Sequence, residues 1–248
     1  MTYHTVAFFE NMSTTGFEGV NAVQDTILNT VNNRILPGSN YGLIYVYVNS
    51  ADVSLARLDS PQSRAVVLPL FPEVDQNSGP SSDPNINDYR QNPFTIRGLE
   101  EFQPQIDNVS GGPSDQFVIM GLQESFQPVP AGEIWTMHGS SVTSTNAAEW
   151  TTISISWSDE LPAGSWALVG GLAQSTTGIA YRWVLEGQDL RPGGVCTTSL
   201  ANRTADMFYG GGLGVLGKFQ AWNPPRIQML ESSASSDINV FMQFMRIG

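Results

Sequence analysis

A chain of 248 residues that is 41% hydrophobic can fill two cores of ordinary domain size, and its single cysteine, Cys196, excludes a small secreted domain stapled by internal disulfides. Eleven basic against 23 acidic residues give a net charge of −12, a balance that repels phosphate and argues against direct nucleic-acid binding. Only 14% of the residues are charged, where an ordinary soluble domain has about 25%, so much of the polar surface is expected to be hidden in contacts within the chain or with partners.

The N-terminus, Met1 to Glu10, has neither a basic n-region nor an apolar h-region. No apolar run approaches the ~20 residues of a membrane span. The expectation is a soluble protein made in a cytoplasm. Val20, Val23, Ile27 and Val31 sit at helical spacing, but Thr, Asn and Val dominate the segment and are poor helix formers. Strands with at most one helical turn are the reading for residues 1–36.

From there the chain is rich in short β signals. Residues 43–48 (Leu-Ile-Tyr-Val-Tyr-Val) and 53–58 read as strands. Residues 64–71 resume an apolar run in which Pro69 predicts an edge strand or a bend. Residues 73–93, with Pro80, Pro84 and Pro93 among Asp, Asn and Ser, form the longest expected loop. Strands follow at 94–97, 101–106 and 116–126; the last has no polar face and should be buried on both sides. Gln127-Pro-Val-Pro-Ala-Gly132 marks the domain boundary near mid-chain, giving domains of residues 1–127 and 128–248. Beyond it, strands are expected at 133–145, 150–157, 165–173, 178–186, 213–222, 225–231 and 238–247, with a loop over 191–212.

The two halves echo one another. Residues 37–57 and 162–182 align without a gap at a shift of 125 (162 − 37): Pro37 on Pro162, Tyr41 on Trp166, Leu43 on Leu168, Ile44 on Val169, Ser50 on Ser175, Arg57 on Arg182. Self-similarity at a fixed offset is a statement about architecture. At slightly different shifts, Pro104-Gln-Ile106 resembles Pro225-Arg-Ile227, and residues 116–123 resemble 239–246. Each half offers about eight short strands, the number in a jelly roll. The fold class expected is all-β: two tandem eight-stranded jelly-roll sandwiches.

Chemistry leaves little trace. His4 and His138 are the only histidines and lie far apart in sequence, so no His cluster for a metal or a double-barrel metalloenzyme is expected. Cys196 has no basic residue near it in sequence and reads as a small packed residue. The glycine run from Tyr209 to Gly217 lacks the GK[ST] ending of a phosphate loop and is followed by β-like residues; it is read as a bend or a close approach of two backbones. Of the six tryptophans, Trp135, Trp157, Trp166 and Trp183 fall in apolar strands, whereas Trp222, beside Asn223-Pro-Pro225, is expected to be exposed. No catalytic, cofactor or metal residue is assigned, and no enzymatic activity is expected.

Two doubled β halves with no site resemble the double jelly-roll major capsid proteins of tailless icosahedral viruses and bacteriophages. The more specific phrases are Gly178-Ile-Ala-Tyr-Arg182, Leu190-Arg-Pro-Gly-Gly194, Gly211-Gly-Leu-Gly-Val-Leu-Gly-Lys-Phe219, Asn223-Pro-Pro225, Arg57-Leu-Asp-Ser-Pro61 and Asp88-Tyr-Arg-Gln-Asn-Pro93. The resemblance implies a coat protein assembled as homotrimers of pseudo-sixfold outline within a virion capsid. Its implied partners are neighbouring capsomers and other capsid proteins such as pentons; many viruses of this type, though not all, also have an internal membrane beneath the shell. Arg57 and Arg182, recurring at one place in both halves of a chain with eleven basic residues, are the expected interface residues, each paired with a carboxylate or with carbonyls at a sandwich rim or across a subunit contact. The rival reading is a β-sandwich carbohydrate-binding protein, a lectin or receptor-binding spike that uses exposed aromatics.

Overall fold

The computed structural model describes residues 3–23, 28–29, 34–35, 40–50, 53–60, 68–70, 73–74, 86–109, 113–189, 191–198, 206–235 and 237–247. The fold is all-β; among the described residues the helical element is a single 3-10 turn at Asp206–Phe208. The helical spacing of Val20 and Val23 does not yield a helix, because both flank a strand at Asn21–Ala22; Ile27 and Val31 lie outside the described residues.

The chain forms two compact units. The N-terminal unit holds the described residues between Val6 and Glu124, and the C-terminal unit those from Ser125 onward together with residues 3–5. In the N-terminal unit the strands are β1 (Tyr3–Met12), β2 (Gly16–Gly19), β3 (Asn21–Ala22), β4 (Leu28–Asn29), β5 (Arg34–Ile35), β6 (Tyr41–Ser50), β7 (Val53–Asp59), β8 (Leu68–Leu70), β9 (Glu73–Val74), β10 (Asn87–Asp88), β11 (Phe94–Ile96), β12 (Gln103–Asn108) and β13 (Ser114–Gln123). One sheet runs β10-β6-β13-β1-β3, with β9 and β11 also paired to β6, and the other runs β2-β12-β7-β8. Val6 and Phe8 of β1, Val46 of β6 and Met120 of β13 share one core with Leu58 of β7 and Ile106 of β12, so the two sheets cover the same apolar interior. β13 is buried along nearly its whole length on both faces, in keeping with its unbroken apolar run. β8, which carries Pro69, is an edge strand, where a missing N–H costs no ladder bond.

The C-terminal unit contains β14 (Trp135–Ser141), β15 (Thr151–Ile153), β16 (Ser156–Trp157), β17 (Ser165–Gln174), β18 (Gly178–Val184), β19 (Gly193–Val195), β20 (Gly217–Gln220), β21 (Arg226–Glu231) and β22 (Ile238–Arg246). Its sheets run β16-β14-β22-β17-β20 and β15-β21-β18-β19. Trp166 is fully buried, stacks edge-on against Phe244 at 5.0 Å and donates its indole N–H to Pro162 O at 3.0 Å. The first residues of β1 belong here: Thr5 N donates to Arg191 O at 2.7 Å, and the Tyr3 hydroxyl to Gly193 O at 3.2 Å.

Three expectations change. The single strand over 150–157 is two, β15 paired with β21 and β16 with β14, because the chain passes from one sheet to the other at Ser154 and Ile155. The loop over 191–212 contains β19, whose Gly193 and Gly194 offer no side chain to reveal a pattern. The loop over 73–93 begins with β9 and contains β10; residues 75–85 lie outside the described residues.

The strand order is the same in both units. Numbering eight main strands in each, one sheet is ordered 1-8-3-6 (β1, β13, β6, β10 and then β14, β22, β17, β20) and the other 2-7-4-5 (β2, β12, β7, β8 and then β15, β21, β18, β19). The irregularities repeat too. On β13, Gly121 faces Tyr45 and Leu122 faces Leu43, leaving Ile44 as the extra residue of a bulge. On β22, Gln243 faces Gly170 and Phe244 faces Leu168, leaving Val169. A second bulge skips Ser54 between β7 and β12, and its counterpart skips Ile179 between β18 and β21. Both pairs differ by 125 positions (169 − 44; 179 − 54). Bulges re-aim a strand and fix its register, so matched bulges are a stricter likeness than matched strands.

Register also corrects two of the local alignments. Gln105 and Gln228 oppose Arg57 and Arg182, a shift of 123 where Pro104 on Pro225 implied 121. β13 and β22 correspond at 122 (Gly121 with Gln243), one residue from the shift the sequence matches implied. A one-residue slip exchanges the two faces of a strand, and similarity of strings alone does not detect it.

Candidate functional site

Arg57 lies on β7 and Arg182 on β18, the fourth strand of each unit. Each is opposed across the ladder by a glutamine of the seventh strand, where side chains of paired residues stand side by side. Arg57 Nε donates to Gln105 Oε1 at 2.7 Å, and Arg182 Nε donates to Gln228 Oε1 at 2.8 Å. The amide orientation is held from the other end: Gln105 Nε2 donates to Asp59 Oδ2 and Gln228 Nε2 to Thr152 Oγ1, both at 3.2 Å. Each guanidinium then lies on an aromatic face, Arg57 at 4.0 Å from the ring of Phe17 in the second strand and Arg182 at 4.2 Å from the ring of Trp150, the residue just before the second strand of its unit.

The constellation arginine, glutamine, aromatic is therefore built twice at the same three strands. Burial separates the copies: Arg182 is 5% exposed, whereas Arg57 is half-buried beside a partly exposed Phe17. A guanidinium never gives up its charge in a protein, so the copy sealed from water must be compensated by its π face and its amide acceptor. The sequence echo located both arginines. It did not find Gln105, Gln228, Phe17 or Trp150, because those partners come from segments whose local shifts differ from 125.

The remaining chemistry-bearing residues are engaged elsewhere. His138 stacks on Phe241 at 4.7 Å with its Nε2 3.3 Å from Asn239 Oδ1, and His4 is buried. Cys196 is buried, and that burial, with the Glu231 carboxylate nearby, pushes its thiol well above the usual range. Among the described residues no three His, Cys, Asp or Glu side chains come together as a metal site. Arg90 grips Asp88 with two nitrogens, Nη2 to Oδ2 at 2.8 Å and Nε to Oδ1 at 3.0 Å, which holds that carboxyl below its ordinary range.

The glycine run turns its amides inward. Gly214 N donates to Gly211 O at 2.8 Å and Val215 N to Gln127 O at 2.8 Å. Gly214 has φ +80°, and a Cβ there would stand 2.4 Å from Gln127 O, so the close approach of two backbones requires glycine. Trp222 is 82% exposed, whereas Trp135, expected in a core or an interface, is partly exposed despite its strand. No protein-family model, curated protein or solved structure matches the chain.

Proposed function

We propose that the chain is a structural coat protein, each unit a jelly roll, and that three chains form a capsomer of pseudo-hexagonal outline within an icosahedral shell. The observation that carries this reading is the repeated strand order, 1-8-3-6 over 2-7-4-5, with two bulges repeated at a spacing of 125. An order repeated over eight strands in two sheets supports a jelly roll, which has eight strands arranged as two Greek keys. Two alike units in one chain give six alike units in a trimer, which is how a threefold assembly fills a site surrounded by six neighbours.

The low charge content favours a chain that spends little surface on free solvent, and the acidic balance disfavours direct contact with the genome. On this reading the partners are two further copies, neighbouring capsomers and pentons; the protein resides in the virion capsid after assembly in the host cytoplasm, and it has no enzymatic role. Arg57, half-buried, is the copy of the constellation with N–H groups accessible to a neighbouring chain. Arg182 contributes by fixing its own unit.

Expression of the full chain, followed by native mass spectrometry and electron microscopy, tests the reading. Trimers burying well over the ~2,000 Å² of a standard interface, and closed particles built from them, are the expected result. A monomer that persists at micromolar concentration and forms nothing larger overturns it.

A further inference from the structure

We propose that the groove beside Trp222 binds a neutral saccharide. The groove has a volume of about 440 Å³ and is built wholly from the C-terminal unit, with Trp222, Gln220, Gln188, Asn223, Ser165 and Glu186 on its walls. The proposal does not depend on the coat-protein reading.

The indole is presented on a fixed support. Trp222 is 82% exposed, yet the turn that bears it is tied on both sides: Ala221 N donates to Gly164 O at 3.0 Å and Asn223 N to Gln220 O at 2.9 Å. Of the other large apolar side chains of the groove, Leu185 and Phe219 are buried in the unit's own packing, and Ile247 is 40% exposed. One flat aromatic platform with a single partly exposed aliphatic neighbour suits a small ligand with one apolar face better than an extended apolar segment.

Two amides beside the platform are half-used. Gln220 Oε1 accepts from Ser165 Oγ at 3.1 Å, which turns the Nε2 donors of Gln220 away from that bond. Gln188 Nε2 donates to Lys218 O at 2.8 Å, which leaves Gln188 Oε1 as an acceptor. One pinned donor and one pinned acceptor, with the Asn223 amide as a third group, match vicinal hydroxyls, each of which both donates and accepts. Because the rotamers are already fixed by bonds within the chain, little further entropy is lost on binding.

Charge selects against ionic ligands. Glu186 Oε1 is held by Arg226 Nη2 at 3.3 Å, and among the described residues Lys218 is the one cation on the wall, in a chain of net charge −12. A phosphate or carboxylate would meet an acidic protein with a single lysine to receive it. A pyranose offers what the groove can use: a face of C–H groups for the indole and a rim of neutral hydroxyls for the amides.

Equilibrium dialysis of the full chain against maltotetraose, cellotetraose, chitotetraose and galactose tests the proposal, with tryptophan emission as a second readout. Saturable binding of at least one of them, with a Kd of about 1 mM or tighter and an emission change absent from Trp222→Phe, is expected. Trp222→Ala should abolish binding, and Gln220→Ala should weaken it about tenfold, with thermal melting unchanged in both. Absence of saturable binding of all four saccharides, or binding that survives Trp222→Ala, overturns the proposal. So does an emission that tracks protein concentration instead of saccharide, since a second copy would then be the occupant.

Discussion

Arg182 and Trp150 form the sealed counterpart of a pair that Arg57 and Phe17 form near the surface, at 4.2 and 4.0 Å from cation to ring. The difference in burial sets different consequences for removing each cation. Arg182→Ala loses a charge-assisted bond to Gln228 and a desolvated cation–π contact, and strands the Gln228 carbonyl; a loss of about 3 kcal/mol is expected. Arg57→Ala should cost about 1 kcal/mol, since water can replace the guanidinium there. Urea midpoints of the two variants measure this. If Arg57→Ala keeps its stability and still fails to assemble, the exposed copy acts between chains; equal stability losses would remove the distinction drawn from burial.

Gly193 and Gly187 predict two different failures of one substitution. A Cβ at Gly193 would stand 2.0 Å from Tyr181 O and 2.6 Å from Arg182 Cα, both backbone atoms of the neighbouring strand. Gly193→Ala must therefore push β19 off β18, at a cost above the ~1–3 kcal/mol typical of overpacking. At Gly187 no atom lies within 4 Å of the added Cβ, but φ is +72°. Gly187→Ala meets only the left-handed backbone penalty of about 1–2 kcal/mol, and Gly187→Asn should recover part of it. Thermal melting of the three variants should rank them Gly187→Asn, Gly187→Ala, Gly193→Ala from most to least stable.

The legible part of this fold was what strands announce by themselves. Residues 41–50 and 165–174 are apolar on both faces and introduce the third strand of each unit, and the gapless match between them placed Ile44 on Val169 before any register was known. Hidden were the features that depend on who pairs with whom. β15 and β16 read as one alternating strand because alternation continues across the residues at which the chain changes sheets. β19 carries two glycines whose role, room for Tyr181 O and the Phe208 ring, belongs to its neighbours. For the candidate site, recurrence singled out Arg57 and Arg182, whereas their glutamine and aromatic partners sit on or beside strands whose intervening loops differ in length between the units. Trp222 was legible as exposed from its Asn-Pro-Pro neighbour; the pinned amides around it were not.

Cys196 gives a prediction about pH. Burial, and then the nearby Glu231 carboxylate, raise its thiol well above the ordinary value of 9.0. A group whose folded pKa is raised holds its proton in the folded chain after the unfolded chain has released it. Stability is therefore unaffected below the ordinary thiol pKa and falls as pH rises above it, because unfolding is then coupled to ionisation. Urea midpoints should decline more steeply above pH 9 for the native chain than for Cys196→Ala. Thiol-directed reagents at pH 8 should modify Cys196 only under unfolding conditions; rapid native labelling would show that the site opens.

Glu231 is the final test of the repeat, because it occupies the place that Asn108 holds in the other unit. Each follows the residue that flanks a bulge, Glu231 opposite Gly178 and Asn108 opposite Val53, and the two partners are again 125 apart (178 − 53). Both side chains are buried, and both tie the seventh strand to the segment that enters the second. Asn108 Nδ2 donates to Thr14 O at 3.0 Å, and the Glu231 carboxylate accepts from the Thr145 and Ser175 hydroxyls. Removing Glu231 would leave the two buried hydroxyls only their longer bonds to Ser235, Thr145 Oγ1 to its carbonyl at 3.2 Å and Ser175 Oγ to its hydroxyl at 3.4 Å, at about 1 kcal/mol each, and would open a cavity besides. Glu231→Ala is therefore expected to lose about 4 kcal/mol. Glu231→Gln keeps the shape and one acceptor oxygen, while its amide can donate to a hydroxyl whose proton turns away; its loss should be about 1 kcal/mol. Asn108→Ala should loosen the N-terminal unit by loss of the bond to Thr14 O, at about 1 kcal/mol. Hydrogen exchange at the amides of β15 and β2 reads the two ties separately: Glu231→Ala should speed exchange in β15 and Asn108→Ala in β2. Unchanged protection of either strand would mean that the buried polar residue there is not what anchors it.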